Sequence, residues 1–557
     1  MKKKNILLGL IGIVTLSLTA CSNDEKINDD GTVNLEKAVE FNVSFADYND
    51  DQEVNVTRTN SKELQNIDLG NGIYAKCTLE RDTAKQSKSA ATRVIPYGTY
   101  TMLAYDANDQ SFKGEINGTV SGNKFTPAGK TSKSIKLAPG TYDFVLFNNK
   151  VTRSGNNLTV SRNNANYAFI GRTRQVISGT PYDQQVSFTL KHAGAKIKIK
   201  FIGYMPCSGV NATISSVNST DVPGSSVYDA STGQWSAGPG AALSEGTTYP
   251  TGEETVYRSL IYGTTSNEEI MLTPTTDVSK LKLTFTSGSI YNQNMSSATP
   301  FTFNPGATLK LEQNGSYVLN VNLMYQFLYL MSDGSRGFYG ETTFGGGTKT
   351  PIAVVLSQSQ RMAIALKNAN GGAPVQWCDA TKFPTYTSTQ YNTGSDLSET
   401  LTNPNSGWDE TWNPAFTHSN VTGEKIRGKR ADFYSFKAAA DYNTGVIYTG
   451  SPALQWYLPS MGDWKWAYSA LGLGDKTQVT QAFYSYFWYG KLAEVAFNQV
   501  GGTPLEDNKF YFTSTEYKGW IMGIVRPRYV FWDNTKVLEW HNGNKTDNFL
   551  VRPFVRY

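Results

Sequence analysis

Short segments in which apolar and polar residues alternate impose the strongest constraint on how this chain can fold. In residues 280–285 the odd-numbered positions are apolar and the even-numbered ones polar, and residues 317–323 again place apolar side chains at every odd position. Successive side chains of a β-strand point to opposite faces, so a period of two predicts a sheet with one buried face. Pro-Gly pairs at 139–140 and 305–306 precede such segments and indicate turns. We therefore predict short β-strands up to about residue 325.

A change of phase interrupts one of these segments. The apolar side chains occupy even positions in residues 186–190 and odd positions in residues 197–201. A single strand cannot keep both sets on the same face. We predict a β-bulge or a sharp bend at Gly194, which lies between them.

The remainder of the chain, from about residue 326, has a different pattern. Ten of the 11 tryptophans lie there, and residues 360–367, 433–440 and 461–471 show helical patterns. These features predict a separate mixed α/β domain that begins just after Tyr325.

The N-terminus carries an export pattern. Lysines at positions 2–4 precede an apolar run at 6–18, which is too short to span a bilayer and ends in small residues before Cys21. This arrangement resembles the bacterial lipobox, which implies that residues 1–20 are a signal peptide and that Cys21 is acylated. An ordinary signal peptide with an incidental cysteine is the alternative. Several acyl chains on one residue anchor a protein stably in a membrane.

A polar, acidic segment follows Cys21 and is predicted to be a tether covering residues 21–37. Its first residues, 22–26, resemble the surface-export signal of Bacteroidales lipoproteins. The expected location is therefore the outer surface of the outer membrane.

Composition excludes several classes of function. The net charge is +4 and no basic tract appears beyond the signal, which argues against a nucleic-acid partner. If Cys21 is lipidated, three cysteines remain, and whether Cys77 pairs with Cys207 is left open. No histidine lies near a cysteine or another histidine in the sequence, so neither a metal nor another cofactor is predicted.

Four stretches before residue 325 carry a family resemblance. They are residues 41–45 with 56–59, residues 137–148, residues 190–197 and residues 315–321. In this order, behind a lipobox, they resemble the Bacteroidales fimbrillins, which are lipoprotein precursors of fimbrium subunits. The resemblance implies two tandem β-sandwich domains, which we place at residues 38–205 and 206–325.

Fimbrillins are thought to assemble by strand exchange, and this implies a processing site. A protease cuts after an arginine near the N-terminus, the first strand leaves, and the opened groove accepts a strand of the neighbouring subunit. Arg58 follows the strand at 41–45 at a suitable distance. Arg81 and Arg93 are rival sites, and an ordinary surface arginine is the alternative for Arg58.

A second resemblance covers residues 326–557. It rests on five stretches, residues 329–334, 362–366, 456–460, 512–517 and 551–556, with a mild departure at Phe512 and Thr513. They resemble the C-type-lectin-like major-paralogous domains of bacterial surface proteins. Pro459 is expected to end a strand and Ser460 to cap the following helix. The expected fold is mainly β, with two tandem fimbrillin-like β-sandwich domains followed by a mixed α/β C-type-lectin-like adhesive domain.

Exposed aromatic side chains on loops of such a domain could stack on sugars or anchor a protein partner. The candidates, each of which could equally be a core residue, are Trp408, Trp412, Trp488, Trp520 and Trp532. Residues 532–534 resemble the calcium-ligating Trp-Asn-Asp of animal C-type lectins with the order changed. Calcium needs six to eight oxygen ligands and no local acidic cluster supplies them, so calcium dependence is left open.

These observations favour a surface-exposed fimbrium subunit, not an enzyme. The lectin-like fold also hosts oxidases that need a cysteine pair, and only Cys378 lies in this region. A glycosidase with paired carboxylates is left open. We expect a tip adhesin, because the resemblance implies that the closing segment 551–557 is a strand of its own sheet, and its donation to another subunit would be costly. The expected partners are other fimbrium subunits, a host or microbial surface glycan or protein, and the outer membrane through the lipid before assembly. The alternative is a surface glycan-binding lipoprotein that never polymerises, and the ligand is left open.

Overall fold

The computed structural model describes residues 31–48, 67–81, 97–129, 134–179, 184–303, 310–390, 401, 407–519, 522–533 and 537–557. The fold is mainly β. Among these residues no helix is long and apolar enough to cross a bilayer. Cys21, Arg58, Arg93 and Trp520 lie outside the described residues.

Strands follow one another closely in the first part of the chain. In order they are β1 (Val33–Asn34), β2 (Val39–Ala46), β3 (Ile67–Asp68), β4 (Ile73–Arg81), β5 (Gly98–Asp106), β6 (Phe112–Ser121), β7 (Lys124–Pro127), β8 (Lys136–Leu137), β9 (Gly140–Asn148), β10 (Thr152–Ser154), β11 (Asn157–Ser161), β12 (Phe169–Ile177) and β13 (Gln184–His192). A short helix, α1 (Leu35–Ala38), separates β1 from β2.

The middle of the chain is also built of strands. They are β14 (Ala195–Gly203), β15 (Ser208–Ser216), β16 (Ser225–Asp229), β17 (Trp235–Ala237), β18 (Ser244–Thr248), β19 (Glu253–Glu254), β20 (Tyr262–Thr265), β21 (Ile270–Leu272), β22 (Leu281–Ile290), β23 (Gln293–Asn294), β24 (Phe301–Thr302) and β25 (Ser316–Tyr325).

The last part mixes strands and helices. The strands are β26 (Leu328–Met331), β27 (Arg336–Phe338), β28 (Pro351–Ser357), β29 (Met362–Ala365), β30 (Gln455–Tyr457), β31 (Tyr486–Phe487), β32 (Lys509–Lys518), β33 (Val525–Asp533), β34 (Val537–Asn542) and β35 (Phe554–Arg556). The helices are α2 (Gly407–Trp412), α3 (Tyr434–Ala440), α4 (Met461–Gly472) and α5 (Gly490–Asn498).

The first unit is a closed barrel, not the predicted sandwich. Its strand order is β12-β13-β2-β7-β6-β5-β9, and β12 closes it by pairing with both β9 and β13. The first strand, β2, lies parallel to β13 over eight residues. Its alternate side chains Phe41 and Val43 are buried in the barrel core.

Two further sheets form the second unit. One has the order β19-β20-β14-β25-β4-β3 with β21 beside β14, and the other has the order β18-β15-β22-β23 with β24 beside β22. They face each other across one core, where the ring of Phe201 on β14 lies 5.1 Å from that of Phe285 on β22.

The pairing does not follow the predicted boundary between residues 205 and 206. Strands β4 and β14 precede that boundary but belong to the second unit, where both pair with β25. Strands β16 and β17 follow it but join β10 and β11, and Tyr228 and Trp235 pack on the barrel. The chain therefore crosses between the two units several times, a long-range pairing that local sequence patterns do not encode.

The predicted bend at Gly194 is present. Strand β13 ends at His192 in the barrel, and β14 starts at Ala195 in a different sheet. A Cβ atom on Gly194 would lie 2.6 Å from the Cβ of Ala165 and 2.6 Å from its carbonyl oxygen. The change of phase therefore marks the point where the chain leaves one core for the next.

One predicted helix is wrong. Residues 360–367 contain strand β29, which lies between β28 and β35 with all four of its side chains buried. A short apolar run that is buried on both faces has no period-two signal, so periodicity cannot separate it from a helix. The other two helical patterns are confirmed as α3 and α4.

The C-terminal unit contains a six-stranded sheet, β27-β26-β28-β29-β35-β30, and a four-stranded sheet, β31-β34-β33-β32. It is joined closely to the second unit, because Phe327 and Tyr329 share one continuous core with Leu323 on β25. The hydroxyl of Tyr74 on β4 donates to Oε1 of Gln499 at 3.0 Å, and Gln499 donates through Nε2 to the hydroxyl of Tyr329. The junction near Tyr325 is therefore a packed interface.

We expect Gly194→Ala to lower the free energy of unfolding by about 1–3 kcal/mol, because the added methyl group overpacks the contact with Ala165. Gly246→Ala on β18 is the matched control, since a Cβ there meets no atom within 4 Å. Urea unfolding followed by circular dichroism measures both. Equal unfolding midpoints for the two variants would contradict the close contact between Gly194 and Ala165.

Candidate functional site

An open cleft of about 1240 Å³ lies in the C-terminal unit. It is lined by residues of β29, β30 and β35 and of the segments beside them, by α2, and by α4 and the segment that follows it. Ligand-binding clefts of proteins are commonly about 300–1,000 Å³, so this space can take a ligand of several rings. It is the candidate functional site.

Helix α4 supplies the cleft with two of its side chains because its opposite face is buried. Met461, Trp464 and Ala467 lie in the core at helical spacing. The 3.6-residue period then places Trp466 on the outer side and Lys465 at the edge of the buried face, and both line the cleft half-buried. The helix begins as predicted, since the Ser460 side chain accepts a hydrogen bond from the backbone N–H of Asp463.

Four cationic side chains line the cleft, namely Arg361, Lys465, Lys476 and Arg556. The carboxylate of Asp463, which also borders it, is buried and accepts hydrogen bonds from the backbone N–H groups of Gly407 and Ser460. The guanidinium of Arg556 lies 3.8 Å from the carboxylate of Asp409.

The other three cations, Arg361, Lys465 and Lys476, have no carboxylate partner among the residues that the structure describes. Burial lowers the pKa of Lys465, and the positive charge of Lys476 lowers it further. Burial also lowers the pKa of Lys476. The cleft therefore holds a positive charge that its own residues do not neutralise.

Two tryptophan rings in the cleft each lie against one of these cations. The ammonium of Lys476 lies 3.1 Å from the centroid of the Trp466 ring, and the guanidinium of Arg556 lies 5.1 Å from that of Trp408. Both rings are half-buried, so each keeps an accessible part. The arrangement combines flat apolar surface with positive charge.

Of the five tryptophans that the sequence suggested as ligand contacts, Trp408 lines the cleft. The indole N–H of Trp412 donates to the carbonyl oxygen of Trp456 at 3.0 Å, which ties α2 to β30. Trp488 and Trp532 are core residues, with ring centroids 3.7 Å apart, so their prediction as ligand contacts is corrected. Their size and apolar surface favour burial over binding.

Sequence reasoning missed Trp466, Lys465, Lys476, Arg361 and Arg556. A usable signal exists for Trp466, because it falls on the side of the predicted helix at 461–471 that is opposite its buried positions. Arg361 and Arg556 are distant in sequence, and the pairing of β29 with β35, in which Met362 lies opposite Arg556, brings them together. Lys476 lies in the segment after α4, which the helical pattern at 461–471 does not cover.

The stretch at 512–517 forms framework away from the cleft. The buried Glu516 carboxylate accepts hydrogen bonds from the backbone N–H groups of Thr389 and Gln390, at 2.8 and 2.9 Å. The ammonium of Lys545 lies 3.2 Å from the same carboxylate. These contacts pin a long loop to β32.

Glu410 and Arg427 are two further buried ionisable side chains of the C-terminal unit. Glu410 is hydrogen-bonded by the hydroxyl of Ser514, and burial raises the pKa of its carboxyl to about 7. Burial lowers the pKa of Arg427 to about 10, and its guanidinium lies 4.6 Å from the ring centroid of Phe436. Both groups are enclosed, so neither can reach a ligand in the cleft.

No group of three or more metal-ligating side chains occurs among the described residues. The thiols of Cys77, Cys207 and Cys378 are free and buried. Burial raises the pKa of Cys77 and Cys378 to about 12. Because a nucleophilic cysteine needs an accessible thiolate, these thiols are structural side chains.

We expect Trp532→Ala to lower the free energy of unfolding by about 3–5 kcal/mol, as removal of a buried aromatic ring does. Trp408→Ala should cost less than about 2 kcal/mol, because the ring is only half-buried. Urea unfolding of both variants, compared with the unaltered chain, checks this. A larger loss for Trp408→Ala would place that ring in the core instead of the cleft.

Comparison with known proteins gives one family match. Residues 115–326 match the model described as fimbrillin-like. No curated protein matches the chain. Among solved structures, a fimbrial protein from Bacteroides ovatus is 12% identical, with 94% of this chain and 100% of that chain covered and a TM-score of 0.23. The fimbrial anchor protein Mfa2 from Porphyromonas gingivalis is 10% identical, with 44% of this chain and 77% of that chain covered and a TM-score of 0.21. Scores this low carry no conclusion, and what the comparisons show is a similarity of residues 115–326 to the fimbrillin-like family.

Proposed function

We propose that this protein is a surface-exposed fimbrium subunit that occupies the tip and adheres, without chemical turnover, through its C-terminal unit. The observation that carries the proposal is the fimbrillin-like match over residues 115–326, which ends where the C-terminal unit begins. The same unit then presents the open cleft to a surface ligand. Its fold as a C-type-lectin-like domain is part of the proposal.

The pairing of β2 supports an acceptor role. It is held by β13 along eight residues but meets β7 at a single pair, Asn42 with Lys124. Removing it would uncover the backbone groups of β13 and the apolar slot that holds Phe41 and Val43. A strand from another subunit could fill both, at about 1 kcal/mol net for each recovered hydrogen bond.

The position of β4 favours Arg58 over its rivals as the cut site. A cut after Arg81 or Arg93 would also release β4, which pairs with β25 and buries Ile73 and Ala75 in the core of the second unit. A cut after Arg58 separates β2 and leaves β4 in place.

Neither β25 nor β35 is suited to leave as a donor strand. Strand β25 lies between β14 and β4, and β35 lies between β29 and β30 with Phe554 and Val555 buried. Withdrawing either strand would split a sheet and expose its core. A subunit that accepts a strand but gives none belongs at one end of the polymer.

Before assembly, the lipid on Cys21 would hold the subunit at the outer membrane. We expect the mature protein to start at an acylated Cys21, and Cys21→Ala to stop both processing and membrane retention. Mass spectrometry of the purified N-terminus and membrane fractionation test this. A Cys21→Ala protein that still fractionates with the outer membrane would exclude lipid anchoring at this residue.

Immunogold labelling of intact cells tests the position in the fimbrium. We expect single labels at filament ends, and for Arg58→Ala we expect an uncut protein that labels only the cell body. Arg93→Ala is the matched control and should label filament ends as the unaltered protein does. Labels along filaments would contradict the tip position, and body labels for the unaltered protein with Arg58 uncut would indicate a lipoprotein that does not polymerise.

A further inference from the structure

The charges of the cleft indicate what kind of ligand it can hold. Lys465, Lys476 and Arg361 line the same open cleft without a carboxylate partner among the described residues. The positive charge of Lys476 contributes to the lowered pKa of Lys465. Like charges held together and partly removed from water raise the free energy of the empty site. An anionic ligand would relieve that repulsion.

The remaining lining favours a sugar as the carrier of the negative charge. The accessible parts of Trp408 and Trp466 offer flat surfaces on which the C–H face of a pyranose ring can stack. Exposed Gln360, Gln455 and Thr477 add amides and a hydroxyl that can hydrogen-bond sugar hydroxyls. Each tryptophan lies against a cation, so a sugar ring and its acidic substituent can be bound next to each other.

We propose that the cleft binds an acidic saccharide, in which Lys465, Lys476 and Arg361 neutralise carboxylate or sulfate groups while Trp466 and Trp408 stack on the sugar rings. This inference rests on the proposed adhesive function and names its ligand class. The lowered pKa values of the two lysines agree with it, because a bound anion would stabilise their charged forms.

Calorimetric titration of the purified full chain tests the ligand class. The probes are oligosaccharides of chondroitin sulfate, which carry sulfate and carboxylate, and of hyaluronan, which carry carboxylate alone. Neutral dextran and poly-glutamate are the comparison probes. We expect at least one acidic saccharide to bind, with an affinity that falls as salt is added, and both comparison probes to bind at least about tenfold more weakly.

Binding of both acidic saccharides would assign recognition to the carboxylate, and binding of chondroitin sulfate alone would assign it to the sulfate. Equal binding of dextran would overturn the role of charge. Equal binding of poly-glutamate would overturn the role of the sugar. Failure of both acidic saccharides to bind would overturn the proposal itself.

Variants locate the binding in the cleft. Lys465→Gln with Lys476→Gln should weaken binding at least about tenfold, whereas Lys465→Arg with Lys476→Arg should keep it within about threefold. The matched control is Lys437→Gln with Lys509→Gln, which removes the same charge from two lysines outside the cleft and should change affinity less than twofold. Thermal unfolding of all three shows whether the fold is retained. An equal loss in the control would assign the effect to overall charge and overturn the site.

Cell binding separates this inference from the proposed function. If the chain adheres to cells and the Lys465→Gln, Lys476→Gln variant adheres equally, adhesion stands and the cleft is not its site. If the chain binds an acidic saccharide in the cleft but adheres to no cell, the inference stands and the adhesive function fails.

Discussion

A single buried asparagine, Asn314, forms hydrogen bonds to the chain where it passes from the barrel to the second unit. The side-chain oxygen of Asn314 accepts from the backbone N–H of His192, and its amide donates to the carbonyl oxygen of Asp47, both at 3.0 Å. Its backbone N–H donates to the carbonyl oxygen of Gly194 at 2.8 Å. Since a buried amide left without partners costs about 1–3 kcal/mol, these three bonds fix where β2, β13 and β14 meet. Gly194 can take part because a larger residue would collide with Ala165.

Two parallel strand pairs start from this crossing, and each connects it to a different part of the molecule. Strand β13 carries β2, the strand proposed to be exchanged, and β14 carries β25, which leads into the C-terminal unit. A replacement for β2 would have to run parallel to β13 and place apolar side chains where Phe41 and Val43 lie. That exchange would also remove Asp47 and with it one of the three bonds of Asn314. The ladder between β14 and β25 contains no residue of the first strand, so its own pairing would remain.

The sequence predicts local features well and long-range pairing poorly. Alternation identifies β22 and β25, the change of phase locates the bend at Gly194, and capping by Ser460 locates the start of α4. These signals are local because a strand or a helix end is decided by neighbouring residues. The barrel closure and the exchange of strands across residue 205 depend on contacts between distant segments, which one sequence does not reveal. For the same reason the sequence does not predict the cleft, because its cations come from separate segments. It also does not distinguish the buried Trp488 and Trp532 from surface tryptophans.

The two kinds of charged group in the C-terminal unit explain how it can combine a fixed framework with an open site. Glu516 and Lys545 are enclosed, form an ion pair and are hydrogen-bonded to backbone groups of a long loop, so their charges serve the fold. A buried ion pair of this kind costs desolvation energy and tolerates little change in its partners. Lys465 and Lys476 differ from this buried pair, because they keep solvent contact and lack an anionic partner among the described residues. Because the framework has its own ion pair, the cations of the cleft are not needed to hold it.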